Sequence, residues 1–65
     1  MKPKTWDDVS IGDVIEISDY GYLDGERRKV NTKDSYGVYV SCDGKQWIIE
    51  DLSCITIIKK GKTNE

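Results

Sequence analysis

Residues 36–52, YGVYVSCDGKQWIIEDL, are the stretch whose reading decides the fold. Asp43-Gly44 is a preferred sequence for a two-residue type I′ turn, because both central positions need φ > 0. Placing the turn there sets the register. Cys42 faces Lys45, Val40 faces Trp47 and Val38 faces Ile49 on one side, while Ser41 faces Gln46 and Tyr39 faces Ile48 on the other. Val38, Val40, Cys42, Trp47 and Ile49 then share a face on which only Lys45 is polar. That face belongs in a core, and Trp47 is assigned to it. The reverse face sets Ile48 outward beside Tyr39, a surface suited to being covered by a partner or by a second copy of the chain.

Working outward, residues 14–18 form the first strand, with Ile15 and Ile17 on one face and Val14, Glu16 and Ser18 on the other. Residues 19–26, DYGYLDGE, are turn chemistry throughout and predict a loop or loosely paired ribbon. A second strand follows over 27–31, with Val30 and Arg28 on one face, and 32–35 read as a polar turn. After the hairpin, 50–53 suit a single 3₁₀ turn. The last strand spans 54–59, with Ile55 and Ile57 pointing one way and Ile58 the other. At the start, Thr5 is placed to cap a short helical turn with Asp7 and Asp8 in its first turn. Trp6 plugs one end of the core. Gly12-Asp13 is a turn, residues 1–5 are expected to fray, and 59–65 form a solvated basic tail. Five short strands of this order predict an all-β fold, a small barrel whose closure removes exposed strand edges. A single domain covers 1–65, with its ordered core over about 6–59.

The totals narrow the function classes. A chain of 65 residues buries only about 60% of the surface its unfolded form exposes, so the core is small. The composition, 37% apolar and 34% charged, suits a soluble globular domain. No apolar run approaches the ~18 residues of a membrane helix. The charged start, followed by Trp6-Asp7-Asp8, is unlike a secretory signal, and the expected location is cytoplasmic. A net charge of −2 argues against a general nucleic-acid coat but not against a local basic patch. Cys42 and Cys54 have no metal-site spacing and there is no histidine to complete a ligand set, so no metal or cofactor is expected. Both thiols are read as reduced core filling; a disulfide would require secretion or oxidative handling. The missing histidine also removes the usual general base at neutral pH, and the carboxylates cluster at turns for backbone reasons. The expectation is a protein without catalytic residues.

Gly12-Asp13-Val14-Ile15, entering the first strand, and the run from Val40-Ser41-Cys42-Asp43-Gly44 through Trp47 to Asp51-Leu52 and Ile55 resemble the SH3-like barrel group, which includes SH3, Tudor and KOW-type domains. The second pattern is similar to the strand, Asp-Gly turn, strand, Asp-Leu, Ile ending of Tudor-type barrels. The resemblance covers most of the chain through its turn and core residues. It implies a five-stranded barrel with a 3₁₀ turn before the last strand, and a ligand surface bordered by the loop between the first two strands. In size and style the chain also resembles small accessory proteins of bacteriophages and prophages, which implies a host-directed role.

Two sets of residues are candidates for that surface. Tyr20 and Tyr22, with Tyr36, Tyr39 and Ile48, make an aromatic surface for a protein partner, since exposed aromatics supply large contact area at low entropy cost. The bland alternative has the first two tyrosines capping the open end of the core, hydroxyls in water. Arg27, Arg28, Lys29 and Lys60, supported by Lys33, Lys59 and Lys62, form a patch for nucleic-acid phosphates if the second and last strands lie close. Its bland alternative is a solvated strand face. An aromatic cage for a modified or small ligand is a third reading.

Overall fold

The computed structural model describes residues 1–61. It is all-β, with six strands: β1 (Val14–Ile17), β2 (Arg27–Lys29), β3 (Thr32–Lys33), β4 (Val38–Cys42), β5 (Lys45–Ile49) and β6 (Ile55–Lys59). These pair antiparallel into two three-stranded sheets, ordered β2-β1-β6 and β3-β4-β5. No helix among the described residues is long and apolar enough to cross a membrane.

The β4–β5 hairpin has the register read from its turn, from Cys42 opposite Lys45 to Val38 opposite Ile49. Asp43 and Gly44 sit at φ +54 and +75, as a type I′ turn requires. A Cβ at Gly44 would meet nothing within 4 Å, so the cost of Gly44→Val is chiefly backbone strain and is expected to be about 1–2 kcal/mol. The urea midpoint measures this, and an unchanged midpoint would mean the turn lies elsewhere.

The inward positions of both sheets, with Val9, Leu23 and Val30 from the connections, build one core of Val9, Ile15, Ile17, Leu23, Val30, Val38, Val40, Cys42, Ile49, Ile55 and Ile57, with Trp6, Tyr20, Trp47 and Leu52 packed against it. Cys42 and Cys54 are buried free thiols. Thr5 caps the 3₁₀ turn Trp6–Asp8, and the Asp8 side chain completes the capping box.

The structure corrects four expectations. Residues 32–35 are not a turn: Thr32 and Lys33 pair with Tyr39 and Val38. The turn falls later because the Asp34 carboxylate accepts from the amides of Tyr36 and Gly37 at 2.9 and 3.2 Å. Residues 1–5 are not frayed, since Met1 exchanges two main-chain hydrogen bonds with Ile57 and Pro3 is buried. The last strand begins at Ile55 because Cys54 completes the 3₁₀ turn Leu52–Cys54, which Asp51 caps through the Ser53 amide.

The fourth correction concerns closure: the described residues form two sheets, not a closed five-stranded barrel. The chain passes from the first sheet to the second at Val30 and Asn31, where the Val30 amide donates to Asp13 O and the Asn31 amide to Tyr39 O. Beside β5, no strand among the described residues completes the circuit. The Tyr20 hydroxyl sits there, donating to Ile48 O and accepting from the Glu50 amide, both at 3.2 Å.

Candidate functional site

The chain between β1 and β2 is a folded loop. The Ile17 amide donates to Glu26 O and the Gly25 amide to Ile17 O, closing its base. The Asp19 amide donates to the Asp24 carboxylate at 2.7 Å, and the Cys54 thiol donates to Asp19 O at 3.6 Å. Within it the 3₁₀ turn Gly21–Leu23 drops Leu23 into the core. The same turn sends Tyr22 outward over β5, where its ring stacks on Trp47 with centroids 5.4 Å apart and planes 21° from parallel.

A cleft of about 380 Å³ lies between loop and strand, lined by Asp19, Tyr20, Gly21, Tyr22, Leu23 and Trp47. Its polar tips are already engaged. The Tyr22 hydroxyl donates to the Asp43 carboxylate, and the Trp47 indole N–H donates to Cys42 O at 3.3 Å. The Tyr20 hydroxyl is held by the β5 backbone as described. The hydrogen bond to Asp43, reinforced by the charge of that carboxylate, pushes the Tyr22 phenol above its ordinary pKa and keeps the donor protonated. The cleft therefore offers fixed ring faces, with Asp19 on its wall. These hydroxyls are bonded within the chain, not left to water as the bland reading had it.

The five residues expected to form one aromatic surface are divided. Tyr20 and Tyr22 line the cleft with Trp47 and Leu23. Tyr39 and Ile48 oppose each other across β4 and β5, on the face that alternation sets opposite to Val40 and Trp47. The Tyr39 hydroxyl donates to Asp34 at 2.9 Å, which raises its pKa. Tyr36, 72% exposed, stands on the turn before β4. Trp47 was assigned to the core; it packs there with one part and stacks on Tyr22 with another. Its place opposite Val40, near the tapering turn end of the hairpin, was the available signal. Leu23, the floor of the cleft, carried none, being one apolar residue inside a run of turn residues.

The basic residues are largely spoken for. Arg27 lies 3.6 Å from Glu16 and Arg28 2.7 Å from Glu26. Arg28 also donates to the Cys42 sulfur at 3.4 Å; that bond and then the Glu26 charge, working against burial, raise its pKa. Lys60 pairs with Asp13 at 2.8 Å, and Lys33 donates to Trp6 O and Val9 O. β1 stands between β2 and β6, and Lys29 and Lys59 flank it, both in register with Val14. Two strand spacings separate them, about 10 Å. Lys62 and the rest of the expected basic tail lie outside the described residues. Among the described residues no three Cys, Asp or Glu side chains form a group that could hold a metal ion. No family model, curated protein or solved structure matches the chain.

Proposed function

We propose that this protein is a non-enzymatic binding module of the SH3-like kind, a five-stranded barrel left open beside β5, with β2 and β3 as the two halves of one bent strand. It works in the reducing cytoplasm and takes a protein partner at the Tyr20–Tyr22–Trp47 cleft. The observation that carries this reading is the Tyr22–Trp47 stack. Tyr22 is 64% exposed, yet its ring and hydroxyl are both held in place. A large aromatic surface fixed before binding contributes contact area with little further loss of freedom. Nucleic-acid binding through Arg27, Arg28, Lys29 and Lys60 is the weaker alternative, because three of those four already have carboxylate partners.

Affinity capture from a lysate of the source organism tests the reading, comparing the wild-type chain with Tyr22→Ala and Tyr36→Ala. Tyr22→Ala is expected to weaken capture of a discrete protein by at least about tenfold, since truncating a central aromatic commonly costs 2 kcal/mol or more of binding. Tyr36→Ala leaves capture unchanged. Equal capture by wild type and Tyr22→Ala would remove the cleft from the interface.

A further inference from the structure

The free edge of β5 and the carboxylates around the cleft together specify what kind of segment this site takes. In a two-residue hairpin the pair closing the turn, Cys42 and Lys45, is hydrogen-bonded, and the pairs then alternate. Gln46 and Ile48 are consequently in non-bonded pairs, and their main-chain groups point away from β4. The Tyr20 hydroxyl confirms this direction, because it meets Ile48 O and the Glu50 amide from that side. Tyr20 thus takes the place of a neighbouring strand along one half of the edge. Along the other half, the Gln46 N–H, the Gln46 C=O and the Ile48 N–H have no main-chain or side-chain partner among the described residues. That half flanks Trp47, whose ring lines the cleft.

Charge decides the chemistry of the occupant. Asp19 lines the cleft, Asp24 holds the Asp19 amide and Asp43 holds the Tyr22 hydroxyl. None of these three carboxylates is in an ion pair among the described residues, where Glu16, Glu26 and Asp13 take the pairing cations. Against them stands Lys45, on the Trp47 face at the turn end of β5; three carboxylates to one lysine, beside stacked aromatic faces, favour a cation over phosphate or an acidic chain.

We infer that the partner enters as an extended basic segment, which adds as a strand to the open half of the β5 edge and lodges an arginine or lysine side chain in the cleft beside Trp47 and Tyr22. This rests on the cleft being the binding surface. Main-chain hydrogen bonds to Gln46 and Ile48 hold the segment, and the alternation of a strand sets every second side chain on the Trp47 face. Tyr20 sets the register by ending the pairing at Ile48 O.

The test uses the full chain labelled with ¹⁵N and a blocked heptapeptide, Thr-Val-Thr-Arg-Thr-Val-Thr, acetylated and amidated. Three companion peptides are used: one replaces arginine by neutral citrulline, and the other two methylate the alternate main-chain nitrogens along one edge each. Gln46→Pro removes the donor at a position where the N–H faces away from β4, so the ladder to β4 is intact. The expected result is a downfield shift and slowed exchange of the Gln46 and Ile48 amides together with movement of the Trp47 indole signal. Citrulline weakens binding at least fivefold, and Gln46→Pro and methylation of one peptide edge each weaken it at least tenfold. Movement of the Trp47 indole with unmoved Gln46 and Ile48 amides and undiminished binding to Gln46→Pro would overturn strand addition while leaving the cleft as a site. Equal binding of the citrulline peptide would overturn the basic partner. No binding of any peptide by a chain that still captures its protein through Tyr22 would overturn the inference and not the proposed function.

Discussion

Gly37→Ala is expected to cost this domain about 3 kcal/mol or more, the largest effect of any single methyl group in the chain. A Cβ at Gly37 would lie 2.2 Å from Ile49 O, 3.0 Å from Ile49 C and 3.1 Å from Glu50 Cα, all main-chain atoms at the end of β5. No side chain can rotate away to make room. The turn at Gly37 is itself pinned, with the Asp34 amide donating to Gly37 O and the Gly37 amide to the Asp34 carboxylate. Overpacking usually costs 1–3 kcal/mol, and a clash between two fixed backbones belongs at or beyond the upper end. Against a total of roughly 3–10 kcal/mol for a chain of this size, that is a large share. The melting temperature should fall by about 12 °C or more. Circular dichroism melts and urea titrations check this, with Ser35→Ala, an exposed neighbour, as the control. A loss under about 0.5 kcal/mol, within the range of an ordinary surface substitution, would show that β5 does not pass over residue 37.

Asp13 is the second. It is the one charged residue in the interior among the described residues, 0% exposed. Its carboxylate accepts from the Ser10 amide at 2.8 Å, the Gly61 amide at 2.6 Å and the Lys60 ammonium at 2.8 Å. Lys60 also donates to Asp8 O at 2.9 Å, so one carboxylate ties the chain after β6 to the turn before β1. Asp13→Ala leaves two amides and an ammonium without their acceptor, at about 1–3 kcal/mol for each buried donor left unmade. Because Lys60 reaches solvent and recovers water, we expect a loss of about 2–4 kcal/mol in all.

The same contacts give Asp13 a pH signature. Burial disfavours its charged form, but the Gly61 amide, Lys60 and the Ser10 amide outweigh burial, and the pKa lies below the ordinary aspartate value. A carboxyl whose folded pKa is depressed contributes its full stabilisation above the unfolded pKa of about 3.9. That contribution is lost as pH falls through the folded value. Asp8, Asp34 and Asp51 are lowered too, chiefly by main-chain amides at Asp8 and Asp34 and by the Ser53 hydroxyl at Asp51. Stability should therefore be level near neutrality and fall below about pH 4. Asp13→Asn should be less stable at neutral pH and show a shallower acid limb. An acid limb of unchanged slope would mean Asp13 is not ionised in its burial site.

The parts of this structure that were legible in the sequence are those where two signals agree. At Asp43-Gly44 the turn chemistry and the period-2 pattern of Val38, Val40, Trp47 and Ile49 specify one register between them, and the hairpin has it. The Thr5 cap was legible because two acidic residues, Asp7 and Asp8, follow it in the first turn. β3 was not legible: Thr32 and Lys33 are two polar residues whose strand state comes from main-chain pairing with β4. Met1 is the same case, held beside β6 by backbone groups whose side chains carry no pattern. The cleft was half legible. Tyr20 and Tyr22 stood out in a run of turn residues, but their convergence on Trp47 depends on how the 3₁₀ turn Gly21–Leu23 aims them. The pairing of the basic residues was not legible for a different reason. Their carboxylate partners, Glu16 across the β1–β2 ladder and Asp13 before β1, are near only once the sheet has formed.

The most direct measurement of the central claim is a ¹H–¹⁵N spectrum of the labelled chain titrated with the protein it captures. The perturbed signals are expected to include the amides of Asp19 through Leu23 and the indole of Trp47, with Arg27 through Lys29, Lys59 and Lys60 unmoved. Perturbations confined to Arg27 through Lys29, Lys59 and Lys60, and abolished by nuclease, would contradict it and make the basic strands the binding surface.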